Sequence, residues 1–354
     1  MELTYQTINL IFNMSNKKAF EMQFNWIFVL VAGAAILLFF TVVVIRQKNV
    51  SETSTKATVL KSIEAIITGA SVSTDTTSII DIPDSNIEVS CNRISIGGVS
   101  KQFQNLILFA PSIVKGDKLV AQTLSFDAPF KATNLLYLTS SKVRYIIVGN
   151  TPLAKEINKS LPSDLKKEFI PSISLIKNEN NYKVRILVFD NSDINGIDLT
   201  KFASSDVTAL KISGTLEKGN IEFYKKNGNL WLPKEDSVYL GKAALLGAVY
   251  SDSVEIYKCS MKNTFSKLNL VTKVYHDRTT LLPIKLAEQS STVNRQTACD
   301  YHNALSYLAN IESTSALAES ASFDMGTITS IKESSASLAT ENSNLQKLSC
   351  PLIY

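Results

Sequence analysis

The most apolar stretch of the chain shows no periodicity. Residues 26–45, WIFVLVAGAAILLFFTVVVI, run for twenty positions with no charge and with Thr41 as the one polar aliphatic side chain. At about 1.5 Å per residue a helix of this length covers roughly 30 Å, the thickness of a bilayer's hydrocarbon core, and it satisfies its backbone groups internally. Phe24 and Trp26 stand where interfacial aromatics anchor, and Lys17, Lys18, Arg46 and Lys48 flank the two ends. A cleaved signal peptide has a shorter apolar region followed by a small-x-small site, whereas this run ends in VVVIRQK, so an uncleaved anchor is expected. The basic pair in KKAFEMQFNW also suggests a pilin-type leader, but Glu21 lies outside the apolar run rather than several residues into it.

Elsewhere the rhythm changes by region. Residues 1–25 hold a weak apolar patch at Ile8 to Phe12 and read as a short disordered tail. Past the anchor, SETSTKAT reads as a polar tether, and Val59, Ile63, Ile66 and Ile67 recur at helical spacing until Gly69, which predicts a short helix. From Ile79 to Leu138 the apolar runs are short: IEVSCNRISI, NLILFAP, LVAQTLSF and NLLYLT are each bounded by Pro, Gly, Asp or Ser and read as strands. KVRYIIVGN at 142–150 is echoed by KVRILVFDN at 183–191, and such wholly apolar centres mark strands buried on both faces. Between them Thr151 can cap and Pro152 can open a helix through Leu161, making a βαβ unit. VTALKIS at 207–213 supplies a third strand, and GNIEFYKKNGNLWLP a hairpin turned by Asn227-Gly228. From Glu235 the period is helical, with a seam at Tyr250, Val254, Tyr257, Met261, Thr264, Leu268, Val271 and Tyr275, which Pro283 and EQSSTVNRQT interrupt. Two further helices, 299–323 and 327–348, meet at a turn over Asp324 to Gly326.

The expected fold is therefore α/β plus α. It consists of a tail (1–25), a transmembrane helix (26–45), a tether with a short helix (46–78), an α/β domain of short strands and a small doubly wound sheet with a hairpin (79–234), and a helical hairpin or bundle (235–354).

Charge adds little. The formal net charge is +4, the lysines are scattered, and no zinc-finger, RRM or KH pattern appears, so nucleic acid is not an expected partner. Two basic residues on each side of the anchor leave the positive-inside rule tied. Cysteine decides: Cys91, Cys259, Cys299 and Cys350 all follow the anchor without a CxxC pair, which reads as two disulfides in an oxidising compartment. The sequons at Asn49 and Asn158 agree with that side, so the tail is expected in the cytoplasm and the body outside the membrane. Helices that turn at Asp324 to Gly326 bring Cys299 beside Cys350, leaving Cys91 for Cys259. The rival arrangement, Cys259 with Cys299 and Cys91 with Cys350, requires a continuous helix across Pro283 and EQSSTVNRQT.

The candidate chemistry lies at the carboxyl ends of the doubly wound strands, where such sheets bind ligands: Gly149, Asn150, Thr151, Asp190, Asn191, Asp193, Ser213 and Gly214. No GxGxxG, P-loop or DxDx[TV] accompanies them, and polar turns ending buried strands are the bland alternative. His276 and His302 can be written with Cys259 and Cys299 as a zinc set, or His276 with Asp277 as a dyad, but neither has a supporting motif. No catalytic residue, metal or cofactor is expected. The segments QFNWIFVLVAGAAILLFF, YSDSVEIYKCSMKNTF and CPLIY together resemble uncharacterised single-span membrane proteins of small-genome archaea. That resemblance implies an archaeal context in which the oxidising side is the cell exterior, and it carries over no functional residue. The expected role is a membrane-anchored, surface-exposed binding or scaffolding protein, with the bilayer and a protein partner or second copy as its contacts. The alternatives are an ectoenzyme using the turns around Asp190 and a pilin-like filament subunit.

Overall fold

The apolar stretch is helical, and the helix continues well past it on both sides. In the computed structural model, which describes residues 3–103, 106–178, 181–189, 192–289, 299–320 and 323–354, α1 runs from Leu3 to Val72. The chain divides into two compact units, Met1–Thr58 and Val59–Tyr354. Within the first, Phe28–Lys48 is the one segment among the described residues long and apolar enough to cross a membrane, and none of it is buried. Thr41 donates its hydroxyl to the Leu37 carbonyl at 2.7 Å, so the run's one polar aliphatic side chain is satisfied within the helix. Residues 3–25 are helical rather than disordered, and SETSTKAT continues the helix instead of forming a tether. Gly69 does not stop it: a lone helical glycine costs about 1 kcal/mol, which a long helix absorbs.

The second unit contains two six-stranded sheets. The first has the order β3-β2-β1-β5-β6-β4, antiparallel except where β4 (Leu108–Phe109) pairs with β6. Its main strands are long rather than short: β1 (Thr77–Ser90), β5 (Ile113–Asp127) and β6 (Lys131–Ser140), with β2 (Arg93–Ile96) and β3 (Val99–Gln102) at one edge. The apolar runs looked short because a register shift between Asp81 and Ser85 divides β1 and because β5 exposes Lys115, Asp117 and Lys118. One face of this sheet packs Ile87, Val89, Ile94, Leu119 and Leu136 against Val59, Leu60 and Ile63 of α1. The other face gives Val120, Phe126, Leu135 and Tyr137 to a central core.

The second sheet has the order β8-β7-β9-β10-β11-β12. Its parallel strands are β7 (Val143–Val148), β8 (Lys166–Ile170), β9 (Lys183–Val188) and β10 (Asp206–Gly214). The antiparallel β11 (Lys218–Asn227) and β12 (Leu230–Leu240) complete it. The turn between them is Gly228-Asn229, one residue later than the sequence suggested, because Asn227 pairs with Leu230. β8 has only two apolar residues and escaped the periodicity; it closes the βαβ unit through α2 (Pro152–Ser160), and β9 returns on the other side of β7. The echoed Lys-Val-Arg is out of phase by one, since Val143 aligns with Lys183 and Tyr145 with Arg185. That slip sends the two arginines to opposite faces of the sheet. Arg144 pairs with Glu168 at 2.6 Å, whereas Arg185 enters the central core.

The expected boundary at 234/235 falls inside β12, and the first helix begins at Gly241. α3 (Gly241–Tyr250) is buried from Ala243 to Tyr250 and apolar all round, so it shows no helical stripe of its own. Gly247 lets it approach the ring of Phe109: a Cβ there would lie 2.7 Å from the ring. Ser251 to Ser253 separate α3 from α4 (Val254–Gln289), on which Val254, Tyr257, Met261, Thr264 and Leu268 of the expected seam are buried and Val271 and Tyr275 half-buried, while Tyr250 ends α3 instead of opening the same helix. Pro283 lies inside α4 rather than ending it, with its ring exposed near the helix end. α5 (His302–Ser320) and α6 (Met325–Lys347) follow, and Asp324 caps α6 by accepting from the Thr327 N–H at 2.8 Å. Cys91 is bonded to Cys259 and Cys299 to Cys350, each with Cα atoms 5.7 Å apart, the first of the two arrangements weighed above. Both sheets and α2 to α6 share the central core, so strands and helices form one body.

A buried ion pair joins these layers. Lys183 on β9 is 3 % exposed and donates to Asp252, which is 8 % exposed, at 2.5 Å, with Asp206 at 3.2 Å. Asp252 also accepts from the Ser112 N–H at 2.7 Å and from its hydroxyl at 3.0 Å. Burial alone would raise the Asp252 carboxyl, but Lys183 and Ser112 outweigh it and hold it below the usual 3.8. Burial likewise opposes the Lys183 ammonium, and Asp252 and Asp206 carry it above the usual 10.5. Arg185 donates to the Ala248 and Val249 carbonyls at 2.9 and 3.3 Å, and burial lowers its pKa to about 10.

Removing one partner leaves a buried charge uncompensated, so Asp252→Asn is expected to cost about 3–5 kcal/mol at pH 7. A depressed carboxyl contributes stability above its unfolded pKa and loses it as pH falls through the folded value. The raised lysine contributes below its unfolded pKa and loses it as pH rises through the folded value. The difference between wild type and Asp252→Asn should therefore be constant across neutral pH and shrink in acid below the usual carboxylate range. Urea unfolding of the detergent-solubilised protein at pH 7 and in acid checks this, and equal midpoints at pH 7 would contradict it.

Candidate functional site

The expected strand-end residues occupy three separate turns. β7 and β9 are neighbours whose chains leave in opposite directions, the arrangement that opens a crevice at the carboxyl ends of parallel strands. Gly149 lies there at φ +115°, donating its N–H to Ile170 at 2.9 Å, and Asn150 beside it is exposed. Thr151 is occupied as the α2 cap, its hydroxyl oxygen accepting from the Ala154 N–H at 3.1 Å. Asp190 and Asn191 lie outside the described residues. Asp193 caps the short 3-10 turn Ile194–Gly196, accepting from the Asn195 N–H at 3.1 Å. Ser213 and Gly214 end β10 in the tight connection to β11, where Gly214 pairs with Gly219. A Cβ on Gly219 would come within 2.5 Å of the Tyr239 hydroxyl oxygen, so this turn is closed by backbone approach under a tyrosine. Of the described candidates, Thr151, Asp193 and Gly214 already have structural duties, and none of the group lines the two clefts described next.

Asn158, the second sequon asparagine, sits in α2 half-buried, its carbonyl accepting from Lys167 at 2.7 Å. Asn49 falls within α1. Cys259 and Cys299 are both disulfide-bonded and so supply no thiolate for zinc. His276 faces Glu312 across the α4–α5 contact at 3.7 Å, and the His302 N–H donates to Asp300 at 2.9 Å. Among the described residues no group of three or more His, Cys, Asp or Glu side chains is arranged to hold a metal.

One concavity lies where α3 begins. A cleft of about 390 Å³ is floored by Pro129, Leu216, Leu240, Ala336 and Ala339, drawn from the β5–β6 turn, the β10–β11 turn, the end of β12 and α6. Gly241 makes the junction at φ +78°, its N–H donating to the Glu217 carbonyl at 2.7 Å, and no side chain caps α3. The polar rim is internally paired: Lys242 with Glu156 at 2.8 Å, and Lys332 with Glu217. The hydrogen bond from Lys242 is the main reason the Glu156 carboxyl sits below its ordinary range. The buried Ser335 hydroxyl on the cleft wall has no hydrogen-bond partner among the described residues. An apolar floor, a paired charged rim and one spare hydroxyl suit a compact apolar group with few hydrogen bonds. A second cleft, about 600 Å³, lies between the end of α1 at Ile66, Gly69 and Ser73 and strands β1 and β5. Thr76 and Thr123 hydrogen-bond across it at 2.9 Å.

No single motif marks the first cleft in the sequence, because its residues come from four turns and helices far apart in the chain. The one local signal is Leu-Gly-Lys at 240–242, a strand running directly into a helix without a capping side chain.

If Thr151 serves only as a cap, Thr151→Ala should lower global stability by about 1 kcal/mol and leave ligand or partner binding unchanged at equal folded fraction. Denaturant midpoints and binding measured on the same preparation decide between cap and contact. No family model, no curated protein and no solved structure matches this chain.

Proposed function

We propose that the chain is a membrane-anchored, extracytoplasmic binding or scaffolding protein of the cell surface. The observation that carries this reading is the 21-residue apolar segment Phe28–Lys48, of which nothing is buried within the protein. Left in water, its aliphatic and aromatic side chains would make an apolar surface far larger than a soluble monomer carries, and a bilayer is the solvent that removes it. The two disulfides support an oxidising side for the body, and in this reading residues 1–25 are the cytoplasmic tail. Binding falls to the cleft at the start of α3, whose apolar floor and paired charges suit an apolar side chain presented by a protein partner better than a charged metabolite. Among the described residues lining that cleft, the one hydroxyl, Ser335, has no hydrogen-bonded base.

A second reading, a filament subunit packed through its N-terminal helices, draws on α1 running without interruption from Leu3 to Val72. It requires a mature N-terminus near Phe20, just past the basic pair Lys17-Lys18.

Protease applied to intact cells should digest the body and spare residues 1–25, and non-reducing peptide mapping should recover Cys91 joined to Cys259 and Cys299 joined to Cys350. A protected body with residues 1–18 trimmed would reverse the orientation, and free thiols at all four positions would remove the main reason for placing the body outside. N-terminal sequencing of the same sample separates the two readings: a start near Phe20 favours the filament subunit, and an intact tail favours the anchor.

A further inference from the structure

The long helix α4 carries apolar residues on two different faces. The inner set, from Val254 to Leu268, fills the central core. The outer set lies further along: Leu270, Val274, Leu281 and Ile284 are 56, 59, 52 and 54 % exposed. At about 100° per residue these four fall within an arc of about 80°, and they extend for roughly 20 Å along the helix. Lys262 and Lys273 border the arc on one side, Arg278 and Lys285 on the other, all exposed. Asp277, the one acidic residue between 262 and 285, is exposed and falls inside the arc, about 20° from Leu270 and four residues from Lys273, and Arg278 also donates to the Leu352 carbonyl at 3.2 Å.

We propose that this face of α4 lies on the surface of a lipid bilayer bearing anionic headgroups, as a membrane contact additional to the apolar span of α1. An aliphatic stripe with cations along both borders is the composition that settles at the boundary of headgroups and acyl chains. A second copy would set these basic borders against each other, and a helical partner would need acidic residues opposite both. The proposal rests on α1 as the membrane anchor, because the anchor keeps the body beside a bilayer at high effective concentration, so that four aliphatic side chains suffice.

The test uses the full chain reconstituted into phosphatidylcholine vesicles with or without phosphatidylglycerol. With the native cysteines disulfide-bonded, Leu281→Cys, Ile284→Cys and the exposed control Asn150→Cys each carry one environment-sensitive fluorophore. Spin-labelled lipid should quench the labels at 281 and 284 in the anionic vesicles and leave the label at 150 bright. Lys273→Gln and Lys285→Gln should each weaken surface partitioning about fivefold. Labels at 281 and 284 that behave like the control overturn the proposal. So do labels shielded from both lipid and aqueous quenchers, which would mean that protein covers the stripe. Flotation separates the two readings: a chain that does not float with vesicles fails as an anchored protein, whereas one that floats with water-exposed labels loses only the α4 contact.

Discussion

The pair Lys183–Asp252 fixes three elements that apolar packing alone would leave free to slide. Lys183 begins β9, Asp252 stands between α3 and α4, and Ser112 precedes β5 of the other sheet, so one carboxylate receives hydrogen bonds from both sheets at the helix junction. Oily surfaces set how much area is buried, but they tolerate shifts along a strand or rotation about a helix. A desolvated ion pair does not, because a small displacement leaves a charge unpaired. Its net contribution to stability is small beside that of a well-packed apolar substitute, so its importance lies in fixing position. Arg185, two residues on and on the same face, adds to this by donating to two carbonyls at the end of α3, where the helix dipole is negative.

Fixing the carboxyl end of α3 also fixes its amino end. α3 is about 15 Å long and buried on every side, so it transmits position rigidly from the ion pair to the cleft at Gly241. The surrounding tyrosines work the same way. Tyr137 donates to the Ala243 carbonyl at 2.7 Å, Tyr257 to Val238 at 2.8 Å and Tyr250 to Gln122 at 2.9 Å, so each buried ring is held at its polar end. Burial raises all three phenols well above their ordinary range, which keeps them neutral donors at physiological pH. The Leu240–Lys242 edge of the cleft is thus held in place, while its other walls come from distant parts of the chain.

What could be read from the sequence was whatever a local pattern fixes. The apolar span, the buried strands at 143–148 and 183–188, the Thr151-Pro152 helix start, the α4 seam and the Asp324 turn each depend on neighbours within a few residues, and the structure has all of them. Features set by distant packing were not legible. β8 is an edge strand with two apolar residues, and α3 is apolar all round, so neither shows the period of its own geometry. The residues of the expected binding edge could not be assigned a role from sequence for a related reason. Thr151, Asp193 and Gly214 have the polar, turn-forming chemistry of ligand contacts, and the same chemistry is what caps a helix, closes a 3-10 turn or permits a tight connection.

The two disulfides each join elements far apart in the chain. α5 and α6 bury five small or polar side chains, Ala304, Ser315, Ala318, Ser334 and Ser335, beside six large ones, Leu308, Ile311, Ile328, Ile331, Leu338 and Leu345. A hydrogen bond from Asn310 to Ser334 at 2.6 Å crosses that interface, and one from Asn269 on α4 to the Glu312 carbonyl at 2.7 Å ties α5 to α4. A bridge between Cys299 and Cys350, 51 residues apart, removes unfolded-state entropy worth about 4 kcal/mol in the chain-entropy model. That is comparable to the burial of two large aliphatic side chains. The Cys91–Cys259 bridge similarly joins the turn between β1 and β2, at the edge of the first sheet, to α4, which otherwise reaches that edge through Asn263 and Asn92 at 2.8 Å. Covalent closure therefore adds to packing already present at both junctions, and a reducing environment would act at these two junctions rather than at the ion pair around Lys183.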